Sequence, residues 1–216
     1  MRPALDLRLY FVVGPQDCAG RDLEAVVAAA LRGGVTCVQL RDKTATLGPR
    51  EVLRIAERCR AQAVPLLVND SLDLAAYAQG LHLGQDDSHP KLARTRLGDA
   101  ALIGLSVGSL AERQRFDASR HDLDYDDLDY IGVGPVAMTR SKADAGVALG
   151  LDGLARVTRG LALPWVAIGG ITAAQIADIM ALGAAGVAVI SAIAAAPDPC
   201  RAAETLRAEI ERVAPT

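Results

Sequence analysis

Residues 165–191 read WVAIGGITAAQIADIMALGAAGVAVIS. The apolar run Trp165–Ile168 is followed by Gly169-Gly170, then by a helical pattern over 173–182, and then by a second apolar run, Val187–Ile190. Thr172-Ala173-Ala174-Gln175 has the form of a capping box, and Gly183 stands where that helix should stop. Neither apolar run alternates with polar residues. Continuous runs mark strands buried on both faces, as in a parallel sheet covered by helices. A helix between two such strands returns the chain to the same end of the sheet, which makes the strands parallel. Ile179–Ala196 carries no charge over 18 residues, the lower limit for a membrane-spanning helix. Gly183, Gly186 and the β-type run interrupt it, so it reads as a helix end and a buried strand.

The same unit repeats along the chain. Strands are expected at Leu9–Val13, Val35–Leu40, Pro65–Val68, Leu81–Leu83, Leu102–Leu105 and Tyr130–Val133, besides the two above. Helices are expected near 21–32, 49–62, 71–79, 90–97, 109–118, 152–160, 173–182 and 198–213, with Pro49 in a first helical turn. Eight units in 216 residues leave 27 residues each, tight but sufficient for a (β/α)8 TIM barrel, which starts at roughly 200 residues. The alternative, an open doubly wound sheet, usually carries a glycine-rich dinucleotide turn after its first strand. Here that strand runs into Gly14-Pro15-Gln16-Asp17, with no such motif. The expected fold is a single-domain α/β barrel over residues 1–216.

Composition agrees. The chain is 51% hydrophobic and 23% charged, with net charge −3, which rules out bulk disorder. It lacks the basic surplus of a nucleic-acid binder, and seven aromatics leave little for base stacking. Cys18, Cys37, Cys59 and Cys200 form no CxxC pair and read as reduced thiols of a cytoplasmic protein. Asp122, Asp124 and Asp126 have the opening spacing of a calcium loop. Asp127 and Val133 occupy its glycine and glutamate positions, so the run with Asp129 reads as a solvated loop.

In barrels the chemistry lies at the C-terminal strand ends. After strand two, Gln39, Arg41 and Lys43 alternate and point the same way. Two cations at one mouth suit a polyanion; the bland alternative is a surface cluster paired with Asp42. Strand three ends in Asn69-Asp70 and strand four in His82-Leu83-Gly84-Gln85-Asp86-Asp87. Carboxylates from neighbouring strand ends suit Mg²⁺, which takes one or two and completes its shell with water and phosphate. Asp70 as a helix N-cap is the rival reading. His82, inside its strand, reads as a buried hydrogen-bonded histidine. Strand five ends at Ser106. The loop after strand six carries Thr139, Arg140, Ser141, Lys142 and Asp144, small hydroxyls and cations that suit phosphate. Gly169-Gly170 after strand seven and Ser191 after strand eight match the common barrel phosphate site built from backbone N–H groups.

Taken in order, Val38-Gln39-Leu40-Arg41-Asp42-Lys43, Asn69-Asp70, His82 to Asp87, Ile131-Gly132-Val133-Gly134-Pro135, Thr139-Arg140-Ser141-Lys142, Ile168-Gly169-Gly170-Ile171 and Val187 to Ile193 resemble the thiamine phosphate synthase family. The resemblance implies a (β/α)8 barrel. It also implies a transferase that joins hydroxymethylpyrimidine diphosphate to hydroxyethylthiazole phosphate, releasing pyrophosphate. By motif, Gln39, Arg41, Lys43, Asn69, Ser106 and Lys142 would hold the pyrimidine diphosphate. Arg41, Lys43, Ser106 and Lys142 would serve the chemistry, and Asp70 and Asp87 would bind Mg²⁺. Thr139, Ser141, Gly170, Ile190 and Ser191 would hold the thiazole phosphate. The implied partners are small phosphorylated substrates and, with room for it, a second copy of the chain, without nucleic acid or membrane. Ala137 and Met138 stand where the family usually carries an aromatic and a proline. The related thiazole tautomerase is expected to carry a histidine at Gly108 and to lack the Asn69-Asp70 pair. That contrast favours the synthase over the tautomerase; a catalytically silent phosphate-binding barrel is the other alternative.

Overall fold

A computed structural model of the chain describes residues 2–119, 127–139 and 146–213. Eight parallel strands close into a barrel in sequence order: β1 (Leu9–Val13), β2 (Cys37–Leu40), β3 (Leu66–Asn69), β4 (Gly80–Leu83), β5 (Leu102–Val107), β6 (Tyr130–Val133), β7 (Trp165–Ile168) and β8 (Gly186–Val189). β8 pairs back onto β1 through Leu9–Val187, Tyr10–Ala188 and Phe11–Val189. The helices outside are α1 (Leu23–Arg32), α2 (Pro49–Arg60), α3 (Leu72–Ala75), α4 (Pro90–Leu97), α5 (Leu110–Ala118), α6 (Gly150–Thr158), α7 (Ile176–Ala181), α8 (Ser191–Ala194) and α9 (Pro199–Val213).

Strand alternation divides the core in two. Leu9, Phe11 and Val13 of β1 face outward into the layer between strands and helices. Tyr10 and Val12 face inward, in a smaller cluster with Cys37, Leu67, Leu102, Tyr130, Val166 and Ala188. Filling a barrel with few aromatics requires matched sizes. The Tyr10 and Tyr130 rings meet edge to face at 5.7 Å. Gly104, opposite Tyr130 in the register, leaves room for that ring, since a Cβ there would lie 2.2 Å from its Cζ.

Several expectations shift at their edges. The helix expected over 71–79 is shortened to Leu72–Ala75. Gln79 instead bridges strands: its N–H donates to the Leu66 carbonyl and its Oε1 accepts from the Leu66 N–H. The segment 173–182 divides into a 3-10 turn, Ala173–Gln175, and α7. The Thr172 N–H donates to Gln175 Oε1 at 3.0 Å, and Gly183 follows the helix with φ of 91°. The uncharged stretch is thus the end of α7, β8 and α8, and no helix among the described residues is long and apolar enough to cross a membrane.

The acidic run differs more. Asp122, Asp124 and Asp126 lie outside the described residues. Asp127 is buried, and Asp129 pairs with Arg94 at 2.9 Å and Arg2 at 3.0 Å while accepting the Ile103 N–H. These last two acids therefore belong to the packed N-terminal end of the barrel, not to a solvated loop. For Asp129 the reason is its partners: a carboxylate with cation and backbone donors can be enclosed there.

Candidate active site

The C-terminal mouth of the barrel opens into a cavity of about 810 Å³. Of the expected site residues, Gln39, Arg41, Lys43, Asn69, Asp70, Asp87, Ser106, Thr139, Gly170, Ile190 and Ser191 all line it. Ser141 and Lys142 fall outside the described residues, with Arg140 and Asp144.

The β2 end works as the alternation predicts. Gln39 and Arg41 are buried and Lys43 is half-exposed. Asp42 does not pair with these cations. Its carboxylate accepts the N–H groups of Thr44, Thr46 and Leu47 and the Thr44 hydroxyl. Burial acts to raise its pKa, but these hydrogen bonds win and hold it below the ordinary carboxylate value. Asp42 thus folds the β2–α2 loop and leaves Arg41 and Lys43 turned to the cavity.

Asp70 is not the N-cap of α3. Ser71 takes that role, its side chain accepting the Leu74 N–H at 3.2 Å. Asp70 instead has φ of 63°, a left-handed conformation uncommon for a residue with a Cβ. Its carboxylate lies 3.4 Å from Lys43 Nζ. Burial, together with Asp87 within hydrogen-bonding reach and of like charge, pushes its pKa up to about 6. Asp87 is held in turn by the Gly84 N–H at 2.6 Å. Lys43 pairs with Asp70, and Asp87 beside it adds a second carboxylate, so the spot carries surplus negative charge on hard oxygen donors.

On the far side of the mouth, β7 and β8 supply backbone. Gly169 and Gly170 have φ of 96° and 65°, which favours glycine at both. The chain after β6 rests on them: the Val136 N–H donates to Ile168 and the Ala137 N–H to Gly169. A Cβ on Gly170 would lie 2.8 Å from the Met138 carbonyl oxygen. At Ser191 and Ala192 the first N–H groups of α8 have no helical acceptor, and both residues border the cavity. Gly170→Ala should therefore cost about 1–3 kcal/mol through left-handed strain and the clash. A lowered Tm in thermal unfolding checks this; an unchanged Tm would refute the seating of this loop on Gly170.

Two residues of the site interior were not singled out by the sequence. Tyr10 and Tyr130 sit in mid-strand, where strand-end reasoning does not look. Their hydroxyls meet at 2.7 Å. Gln39 Nε2 donates to Tyr10 at 2.8 Å, and His82 joins Tyr130 through Nδ1 at 2.8 Å and Ser106 Oγ through Nε2 at 2.9 Å. His82 is buried and hydrogen-bonded, as expected. A hydroxylated aromatic inside an otherwise apolar strand was the available signal.

The profile of a family described as thiamine monophosphate synthase matches residues 9–193. A thiamine-phosphate synthase of Azorhizobium caulinodans is 45% identical, over 95% of this chain and 96% of its own. One from Natronomonas pharaonis is also 45% identical, over 97% and 98%. Among solved structures, a thiamine phosphate pyrophosphorylase from Pyrococcus furiosus superposes with a TM-score of 0.80 at 31% identity, covering 96% of this chain and 97% of that one. An orotidine 5'-phosphate decarboxylase from Pyrococcus horikoshii, at 12% identity and a TM-score of 0.65, shares the fold alone. With a matching profile over most of its length and relatives alike end to end, the chain belongs to the thiamine monophosphate synthase family.

Proposed function

We propose that this enzyme joins hydroxymethylpyrimidine diphosphate to hydroxyethylthiazole phosphate, releasing pyrophosphate and forming thiamine phosphate. One observation carries the reading. A cationic edge (Arg41, Lys43) and a backbone edge (Gly170, Ser191) line the same cavity, so two phosphorylated reactants have separate anchors around one interior. Anchoring both is an orientation effect, which can supply a large part of a bimolecular barrier.

In the proposed reaction the bond between the pyrimidine methylene carbon and the diphosphate oxygen breaks. The electron pair leaves with the oxygen, and charge grows on the pyrophosphate. Arg41, Lys43 and Lys142 take up that charge, the kind of preorganised stabilisation that is often the largest catalytic contribution. The lone pair of the thiazole nitrogen then forms the new bond to the methylene cation. That nitrogen is neutral and needs no base. Gln39, Asn69 and Ser106 orient the pyrimidine portion. Thr139, Ser141, Gly170, Ile190 and Ser191 hold the thiazole phosphate.

Asp70 and Asp87 suit Mg²⁺. Their surplus negative charge on hard oxygens is the donor set this ion takes, with water and phosphate completing the shell. Among the described residues no group of three or more His, Cys, Asp or Glu gathers as a metal centre. When bound, it would neutralise part of the diphosphate charge. The substrates are small phosphorylated molecules met in the cytoplasm, and one barrel domain over residues 1–216 carries the reaction.

The direct test incubates both substrates with the protein and Mg²⁺, with and without a chelator, and follows thiamine phosphate by chromatography. Product that disappears with chelation is the expected result. Binding of the thiazole phosphate without product would favour a silent phosphate-binding barrel and overturn the proposal.

A further inference from the structure

A continuous chain of hydrogen bonds runs under the cavity floor from Gln39 through Tyr10, Tyr130 and His82 to Ser106, and one ordering of its protons starts at the Gln39 amide. Gln39 Nε2 donates to the Tyr10 hydroxyl, and the Tyr10 and Tyr130 hydroxyls share a hydrogen bond in which either can be the donor; in the ordering that runs away from Gln39, the Tyr10 proton goes to Tyr130. In that ordering the Tyr130 oxygen accepts from Tyr10 and its own proton points to His82 Nδ1, 2.8 Å away. The same ordering requires a neutral imidazole with its proton on Nε2, which would donate to Ser106 Oγ, 2.9 Å away. Ser106, accepting from His82, is left with its hydroxyl proton free to face the cavity it lines. Burial pushes the pKa of both phenols well up, so each keeps the single proton that this ordering needs.

We infer that Tyr10, Tyr130 and His82 are positioning residues, a polarised relay that presents Ser106 to the pyrimidine substrate as a hydrogen-bond donor. The inference rests on the function proposed above for its last step, the substrate's identity, and on geometry alone for the rest. The barrel is shaped around this relay. Gly104 vacates the space that the Tyr130 ring fills, and at Gly132 a Cβ would lie 3.2 Å from His82 Cε1. Tyr130 and His82 pack as tilted rings with centroids 5.5 Å apart. With the opposite polarity, Ser106 would turn its proton to His82 and offer the cavity only lone pairs. A substrate presenting a ring-nitrogen acceptor would then meet no donor. Polarity thus decides which face of a pyrimidine the floor accepts.

The experiment has two arms. In the first, the imidazole ¹⁵N resonances of His82 are read by NMR and identified by their loss in His82→Gln. The relay requires the Nε2–H tautomer in the wild type and a mixture of tautomers in Tyr130→Phe, which keeps the ring and removes the donor to Nδ1. The second arm is steady-state kinetics. Tyr130→Phe should lower kcat about tenfold or more, the effect of one mispaired buried hydrogen bond, with KM for the thiazole phosphate within about twofold. Tyr10→Phe should lower kcat about threefold, because Tyr130 keeps its bond to His82. A wild-type His82 protonated on Nδ1, or an unchanged kcat in a folded Tyr130→Phe protein, would overturn the relay. If the wild type makes no thiamine phosphate, the functional reading fails, while the tautomer arm still decides the relay.

Discussion

Arg41→Ala should lower kcat/KM by about 10²–10³, the loss seen when one preorganised donor to developing negative charge is removed. The side chain is buried at the mouth of β2, and its backbone is fixed on both sides. Its N–H donates to the Val13 carbonyl, and its carbonyl accepts Gln16 Nε2 at 2.9 Å. The backbone at Arg41 is thereby fixed, and the buried side chain lines the cavity. Arg41→Lys should recover only part of the loss, because a point charge replaces a planar fork that can bind two oxygens at once. Steady-state kinetics with the pyrimidine diphosphate varied checks both variants, with circular dichroism to confirm the fold. Equal activity of Arg41→Ala and wild type would remove Arg41 from the site.

Asp70→Asn should separate activity from stability. In the folded protein the Asp70 pKa is raised from 3.8 to about 6 by burial and then by Asp87, with Lys43 acting in the opposite sense. Between those two values the folded chain binds more protons than the unfolded chain. Its stability therefore falls as pH rises through that window, and the loss is complete above pH about 6. Asparagine removes the like charge and offers Asp87 an N–H donor. It also tolerates the left-handed φ of 63° better than most residues. The exposed Lys43 ion pair that is lost contributes little. At pH 7.5 without Mg²⁺ the variant should melt on the order of 2–4 °C higher than the wild type. Over pH 4–6.5 its stability should lack the wild-type decline at this site. Its activity should fall by about 10² or more, because a neutral amide is a poor Mg²⁺ ligand. Thermal melts across pH and an Mg²⁺ titration of the rate measure the two effects. A variant both less stable and equally active would refute this account of Asp70.

The two variants bear on different parts of the chain's legibility. Arg41 and Lys43 were readable because strand geometry is local. A period of two carries their side chains to the same side, and the preceding apolar run marks where the strand ends. Asp70 was only half readable. Its position after β3 suggested a ligand, but an N-cap was a serious local rival. Ser71 takes the cap, which depends on how the chain turns at Asp70. The relay was not readable at all. Tyr10 and Tyr130 are 120 residues apart, and no local pattern brings them together. Asp129 likewise looked like one more acid in a polar run until Arg94 and Arg2 closed on it.

What local order alone established is the fold and the ring of strand ends. Hydrophobic periodicity, caps and glycine stops are short-range properties, and eight repeats of the same unit leave few topologies. Tertiary structure decided what happens inside the ring. Closing β8 onto β1 brings distant strands into register. Only then do two phenols, an imidazole and a serine hydroxyl come within hydrogen-bonding distance of one another, and only then do two carboxylates, enclosed side by side, shift a pKa. Those interactions act over a few ångströms in space between residues far apart in sequence, and a linear reading has no measure of that distance.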